Sequence, residues 1–194
     1  MEQEKRLPET ENIEKDPLGR GVRNCFELFE EVIIAVVAVV LIFAFLFRVV
    51  TVNGDSMLPN YTEDDKLIIS GMFYEVKQGD VVVVVNVLED PIIKRVIALP
   101  GQVVDIDNDT GMVSVDGEVL DESAYTENGL TVSYGADMMT FPQTVPEGCV
   151  FVLGDNRVIS KDSRYLAVGM VDSRNILGKV EVRIFPFDRI GKAK

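Results

Sequence analysis

The chain of 194 residues contains no histidine. That excludes a Ser-His-Asp triad within this polypeptide and any histidine-dependent metal site. Cysteine is scarce as well, with only Cys25 and Cys149 present. They flank a long apolar run, so a membrane across that run would hold them in different compartments. No disulfide framework and no cysteine-based zinc site follows. Positive charge is short: 19 lysines and arginines face 32 acidic residues, for a net charge of −13. Such a chain is repelled by phosphates and is a poor nucleic-acid binder.

What the chain does have begins with the apolar run. Val32 to Phe47 is sixteen residues without a charge, and Val49-Val50 beyond Arg48 extend it to nineteen. A helix of about twenty residues spans the hydrocarbon core of a bilayer. Arg48, near the end, can snorkel to the headgroups. The run has no polar face, which argues against a buried helix of a soluble core. The stretch before it is long and acidic, and no A-x-A-like cleavage site follows, which argues against a removable secretory signal. The expectation is an uncleaved transmembrane helix over residues 32–50. Residues 1–31 then form a largely disordered tail, ending in an amphipathic lead-in over 25–31. Five basic residues before the span (Lys5, Arg6, Lys15, Arg20 and Arg23) favour a cytoplasmic N-terminus. Residues 51–194 would then be extracytoplasmic.

Past Thr51 the texture changes to short β-type runs separated by turns. These are Lys66–Ser70, Val81–Val87, Ile92–Leu99, Met112–Leu120 around an Asp116-Gly117 turn, Thr131–Tyr134, Cys149–Leu153 and Val180–Phe185. The nearly continuous valine of 81–87 suits a strand buried on both faces. The fold class expected is mainly β, with one N-terminal transmembrane helix and an all-β domain of short antiparallel strands. Residues 103–145 could form a smaller β subdomain. Asp105, Asp107 and Asp109 read as a solvated turn, since the rest of a calcium loop is missing.

Directly after the apolar run comes Asn53-Gly54-Asp55-Ser56-Met57-Leu58-Pro59-Asn60. A serine in such a turn needs a base to act as a nucleophile, and without histidine lysine is the candidate. Lys94 follows 38 residues later, in Ile92-Ile93-Lys94-Arg95-Val96-Ile97. Alternation puts it on the apolar face of Ile92 and Val96. Two readings are open there. The lysine protects a sheet edge from aggregation, or it is buried with a depressed pKa and serves as a base. A third segment, Gly154 to Arg164, is polar apart from Val158 and Ile159. It is either a solvated loop with weak surface ion pairs or part of a site.

Three segments together resemble the bacterial-type signal peptidase I family of membrane-anchored Ser-Lys proteases. They are Gly54-Asp55-Ser56-Met57-Leu58-Pro59, then Lys94 to Gly101, then Gly154-Asp155-Asn156-Arg157 with Ser160, Asp162, Ser163 and Arg164. Gly79 to Val83, Gly169-Met170-Val171 and Ile176 to Lys179 match further family segments in the family's order. The resemblance implies Ser56 as nucleophile, Lys94 as general base and Ser160 as the hydroxyl that orients the lysine. Asp162 and Arg164 would be an ion pair beneath the site, with Arg95 a structural neighbour. The Ser56 backbone N–H would form part of an oxyanion hole, where Gly54 lacks the side-chain hydroxyl that some members supply. Met57 and Ile93 would line the pocket for the residue before the cut. Asn60, Ala98, Gln102 and Ile159 depart from the usual residues. The implied substrates are secretory precursors at the bilayer surface, processed without metal, cofactor or nucleic acid. A catalytically silent relative would be expected to lack Ser56 or Lys94, and both are present.

Overall fold

The computed structural model describes residues 17–71, 74–127 and 130–192. The chain divides into two units, one up to Ala44 and one from Phe45 onward. Helix α1 (Pro17–Leu46) is followed by β1 (Phe47–Thr51), β2 (Lys66–Ser70), β3 (Val81–Val84) and β4 (Ile92–Ala98). A second group comprises β5 (Val103–Asp107), β6 (Met112–Val115), β7 (Glu118–Val119) and β8 (Gln143–Thr144). The chain then returns through β9 (Cys149–Leu153), β10 (Val171–Asp172), β11 (Ile176–Phe185) and β12 (Gly191–Lys192). The larger sheet has the order β1-β2-β11-β3-β4-β9-β10, with β12 on β11, and the smaller has β7-β6-β5-β8. All pairings between these strands are antiparallel.

The valines of β3 are buried on both faces, as their continuous run anticipates. Val81 and Val83 pack with Leu67, Ile69 and Val180, whereas Val82 and Val84 pack with Val96, Val150 and Val152. A third cluster joins the sheets: Ile97, Phe151 and Leu153 meet Val104, Ile106, Val113 and Val115. The smaller sheet therefore stands on β4 and β9. Its hairpin turns at Asp116 and Gly117, with φ of 53° and 83°, the left-handed pair a tight two-residue turn needs.

Several expectations are corrected. The apolar helix does not run to residue 50. It ends at Leu46, and Phe47–Thr51 pair in register with Ser70–Lys66. Aromatic and β-branched residues suit a strand, and a partner strand decides the matter. At the other end α1 starts at Pro17, so residues 17–31 are helical instead of a structureless tail. Residues 1–16 lie outside the described residues. Among the described residues no helix is long and apolar enough to cross a membrane. The strand expected over 81–87 stops at Val84, because Asn86 takes a φ of 60° and breaks the extended run. Thr131–Tyr134 is not a strand. The Thr131 N–H donates to the Gly111 carbonyl and the Ser133 N–H to the Asn108 side chain. That side chain replaces a ladder partner. Asp105 and Asp107 belong to β5, where Val104 and Ile106 turn inward. Asp107 accepts from the Asp109 and Thr110 N–H groups of the following turn.

Candidate active site

The turn after β1 is tightly wound. Leu58 N–H donates to the Asp55 carbonyl, and the N–H groups of Asn60 and Tyr61 both donate to that of Met57. Gly54 supplies the φ of +81° with which the turn opens. Met57 is only 1% exposed and is anchored among Val52, Tyr61, Leu67 and Ile69. That anchor fixes the turn and leaves the adjacent Ser56 half-buried. Of the two residues expected to line a substrate pocket, Met57 is enclosed in this cluster and Ile93 packs against it, half-buried.

Lys94 is buried, opposite Val82 in the ladder. Its Nζ is hydrogen-bonded to Ser56 Oγ at 2.7 Å and donates to the Ile93 carbonyl at 2.8 Å. A lysine protecting a sheet edge is thereby ruled out, because β4 is an interior strand between β3 and β9. No carboxylate forms an ion pair with Lys94 among the described residues. Burial pushes its pKa down from 10.5 to about 8, and Arg164 adds to the depression. The charges of Asp162 and Asp155 oppose the shift without reversing it. A buried amine close to neutrality, in hydrogen-bond contact with a half-exposed hydroxyl, can remove that hydroxyl's proton.

Three buried ion pairs surround the dyad. Arg95 grips Asp155 with two hydrogen bonds, of 2.8 and 2.7 Å. Arg164 holds Asp162 through Nε at 2.8 Å, and also bonds the carbonyls of Val132, Arg157 and Ser160. Arg157 forms a two-bond pair with Glu122, both bonds 2.6 Å long, and reaches back to the Gly154 carbonyl. The segment from 154 to 164 is therefore no solvated loop with surface pairs. Charged pairs of this kind are tolerated inside because every charge has a partner and several hydrogen bonds.

This segment also grips the serine turn. Asn156 N–H donates to the Ser56 carbonyl at 3.0 Å, and its side chain donates to that of Asp55 at 3.2 Å. Asn60 donates from Nδ2 to both Asp155 Oδ2 and the Tyr125 carbonyl, each at 2.8 Å. A Cβ at Gly154 would overlap the Ser160 side chain and lie 2.5 Å from the Ser56 carbonyl oxygen, so only glycine lets the two segments approach.

Ser160 is buried at the expected place, but its Oγ makes no hydrogen bond. Lys94 is held by Ser56 and the Ile93 carbonyl instead. Sequence reasoning passed over Asn60, Glu122 and Tyr125 as members of this assembly. The Tyr125 ring lies beneath the Arg95 guanidinium at 4.4 Å, with Arg157 at 6.0 Å. The polar character of Asp155 and Arg157 was a usable signal. Glu122 and Tyr125 gave none, because their role depends on where the smaller sheet's last connection falls.

Fold and site together define a serine hydrolase that has a lysine where others have histidine. The profile of the family described as "Signal peptidase, peptidase S26" matches residues 25–185, and the chain belongs to that family. A signal peptidase I of Bacillus licheniformis is 36% identical over 182 residues, covering 87% of this chain and 93% of that protein. One of Bacillus caldolyticus is 34% identical over 164 residues, covering 79% and 88%. A signal peptidase IB of Staphylococcus aureus is 34% identical over 178 residues, covering 83% and 91%. A crystal structure of a signal peptidase I from Enterococcus faecalis aligns with a TM-score of 0.42 at 28% identity, over 55% of this chain and 97% of that one.

Proposed function

We propose that this protein is a signal peptidase I, a serine endopeptidase that removes N-terminal signal peptides from secretory precursors. The observation that carries the mechanism is the 2.7 Å contact between Lys94 Nζ and Ser56 Oγ, made by a lysine that burial keeps near neutrality. Neutral Lys94 takes the Ser56 proton as Oγ attacks the scissile carbonyl. The lysine then returns that proton to the leaving amine, and an acyl-enzyme stays on Ser56. Water, deprotonated by the same amine, releases the signal peptide and restores the serine. The Ser56 N–H contributes to the oxyanion hole, which Gly54 cannot complete with a side chain. Ser160, buried with an unpartnered hydroxyl, is the group we assign to orienting the lysine. Ile93, half-buried with Met57 packed behind it, forms the wall against which a small residue before the cut rests.

We further propose that α1 holds the enzyme on a bilayer, with its N-terminal end cytoplasmic and the β domain outside. Val32 to Leu46 carry no charge, and their described side chains up to Phe43 are exposed apolar groups on all sides of the helix. Those fifteen residues make about 22 Å of helix, which a bilayer accommodates by local thinning. An anchor of this kind puts enzyme and precursor at one depth, which supplies proximity.

The test is cleavage of a secretory precursor by the full chain in detergent, with Ser56→Ala and Lys94→Ala as variants. Wild type cuts the precursor at one site and both variants fall by at least about three orders of magnitude. Cleavage retained by either variant contradicts the dyad.

A further inference from the structure

Beside the serine turn lies a cleft of about 190 Å³ lined by Leu58, Thr126, Glu127, Asp155, Asn156, Arg157 and Val158. Its walls come from three places: the serine turn itself, the segment after β9, and the chain leaving the smaller sheet. Met57 sends its side chain into the core beside Ile93, whereas the next residue, Leu58, faces this cleft. Leu58 lies two residues after Ser56, and the Asn156 N–H bonds the Ser56 carbonyl, so the cleft borders the nucleophile. A peptide bound across Ser56 passes this cleft on one side of the cut.

Its charge is simple. Asp155 is neutralised by Arg95 and Arg157 by Glu122, in both cases through two hydrogen bonds. Glu127 is exposed and forms no ion pair among the described residues. One uncompensated negative charge stands over a cleft whose other lining groups are neutral or paired.

We propose that this cleft is the binding subsite for the first residues of the mature protein, and that Glu127 makes it favour a cationic side chain at the second residue after the cut. The inference rests on the signal peptidase reading and adds a specificity that the dyad does not supply. Lysine or arginine there gains attraction from Glu127, and glutamate is repelled.

The experiment uses the full chain in detergent and three precursor peptides that differ only at the second residue after the cut: Lys, Gln or Glu. The quantity read is the ratio of kcat/KM for the Lys and Glu peptides, measured within each enzyme so that loss of folded protein cancels. Wild type prefers Lys over Glu by about five-fold at low salt, the scale of one exposed ion pair, and the preference shrinks at high salt. Glu127→Gln brings the ratio close to one, and Glu127→Lys inverts it. An unchanged ratio in Glu127→Gln overturns the subsite while leaving the protease reading intact. Failure of wild type to cut any of the three peptides, like its Ser56→Ala variant, overturns both.

Discussion

Lys94 and Arg95 are consecutive on β4 and almost equally buried, at 2% and 3% exposed. Arg95 lies in a bidentate grip with Asp155, stacks on Tyr125 and bonds the Gly79 carbonyl. Among the described residues Lys94 bonds a hydroxyl and a carbonyl and forms no ion pair with a carboxylate. The two cations face opposite sides of the strand and meet opposite electrostatic conditions. A guanidinium stays charged in any protein, so burying one requires a carboxylate. An amine can lose its proton, so burying it without a carboxylate turns it into a base. The Arg95–Asp155 pair thus ties the structure together beside a lysine that has hydrogen bonds but no carboxylate partner.

Exchanging the two solutions gives the largest expected effect. Lys94→Arg puts an obligate cation where no carboxylate pairs with it. Precursor cleavage falls by at least about three orders of magnitude at every pH from 6 to 10. Activity that recovered at high pH would mean position 94 is not the base.

Next comes removal of the partner on the supporting side. Asp155→Ala removes the carboxylate that holds the buried Arg95 through two hydrogen bonds, and one of the two acceptors of the Asn60 side chain. It lowers the unfolding free energy in urea by about 3–5 kcal/mol. A loss well under 1 kcal/mol would place the Arg95 pair with weak surface pairs.

Gly154→Ala tests how closely the two halves must approach. The added methyl overlaps Ser160 and crowds the Ser56 carbonyl. The expected result is a roughly hundred-fold loss of kcat from displacement of the nucleophile, with KM much less affected. A normal kcat would show that the segments can part without harm.

The smallest effect is on stability and depends on pH. Below about pH 8 the folded state carries a charged, buried Lys94, and that is a cost to folding. Between pH 8 and 10.5 the unfolded chain binds the proton and the folded one does not, so this cost fades as pH rises. Lys94→Met therefore stabilises the protein most below pH 8, and its advantage over wild type shrinks towards pH 10.5. An advantage that does not vary with pH would separate Lys94 from the linkage.

The pairing of Ser56 with Lys94 was legible only through the family resemblance, since the residues alone left Lys94 open between a sheet-edge lysine and a base. Strand β3 was legible from its valines, and the hairpin at Asp116-Gly117 from its backbone demands. The end of the helix was not. Phe47, Val49 and Val50 are as apolar as the helix before them, and only pairing with β2, some twenty residues further on, makes the segment a strand. The support for the site was legible in part. Asp162 and Arg164 lie two residues apart and were expected to pair. Glu122 and Arg157 are 35 residues apart and meet only because the smaller sheet stands on β4 and β9. Asn60 departs from the family's usual residue, and its side chain ties the serine turn to Asp155 and Tyr125, a role that only the folded structure shows.

The central claim is that burial, with no carboxylate partner, makes Lys94 the base for Ser56. The most direct measurement is the pH dependence of kcat/KM for precursor cleavage by the full chain in detergent, from pH 6 to 10. The account predicts a rate that climbs through a midpoint near the Lys94 pKa of about 8 and then levels. A rate that is flat across this range, or that falls as pH rises through 8, would contradict it.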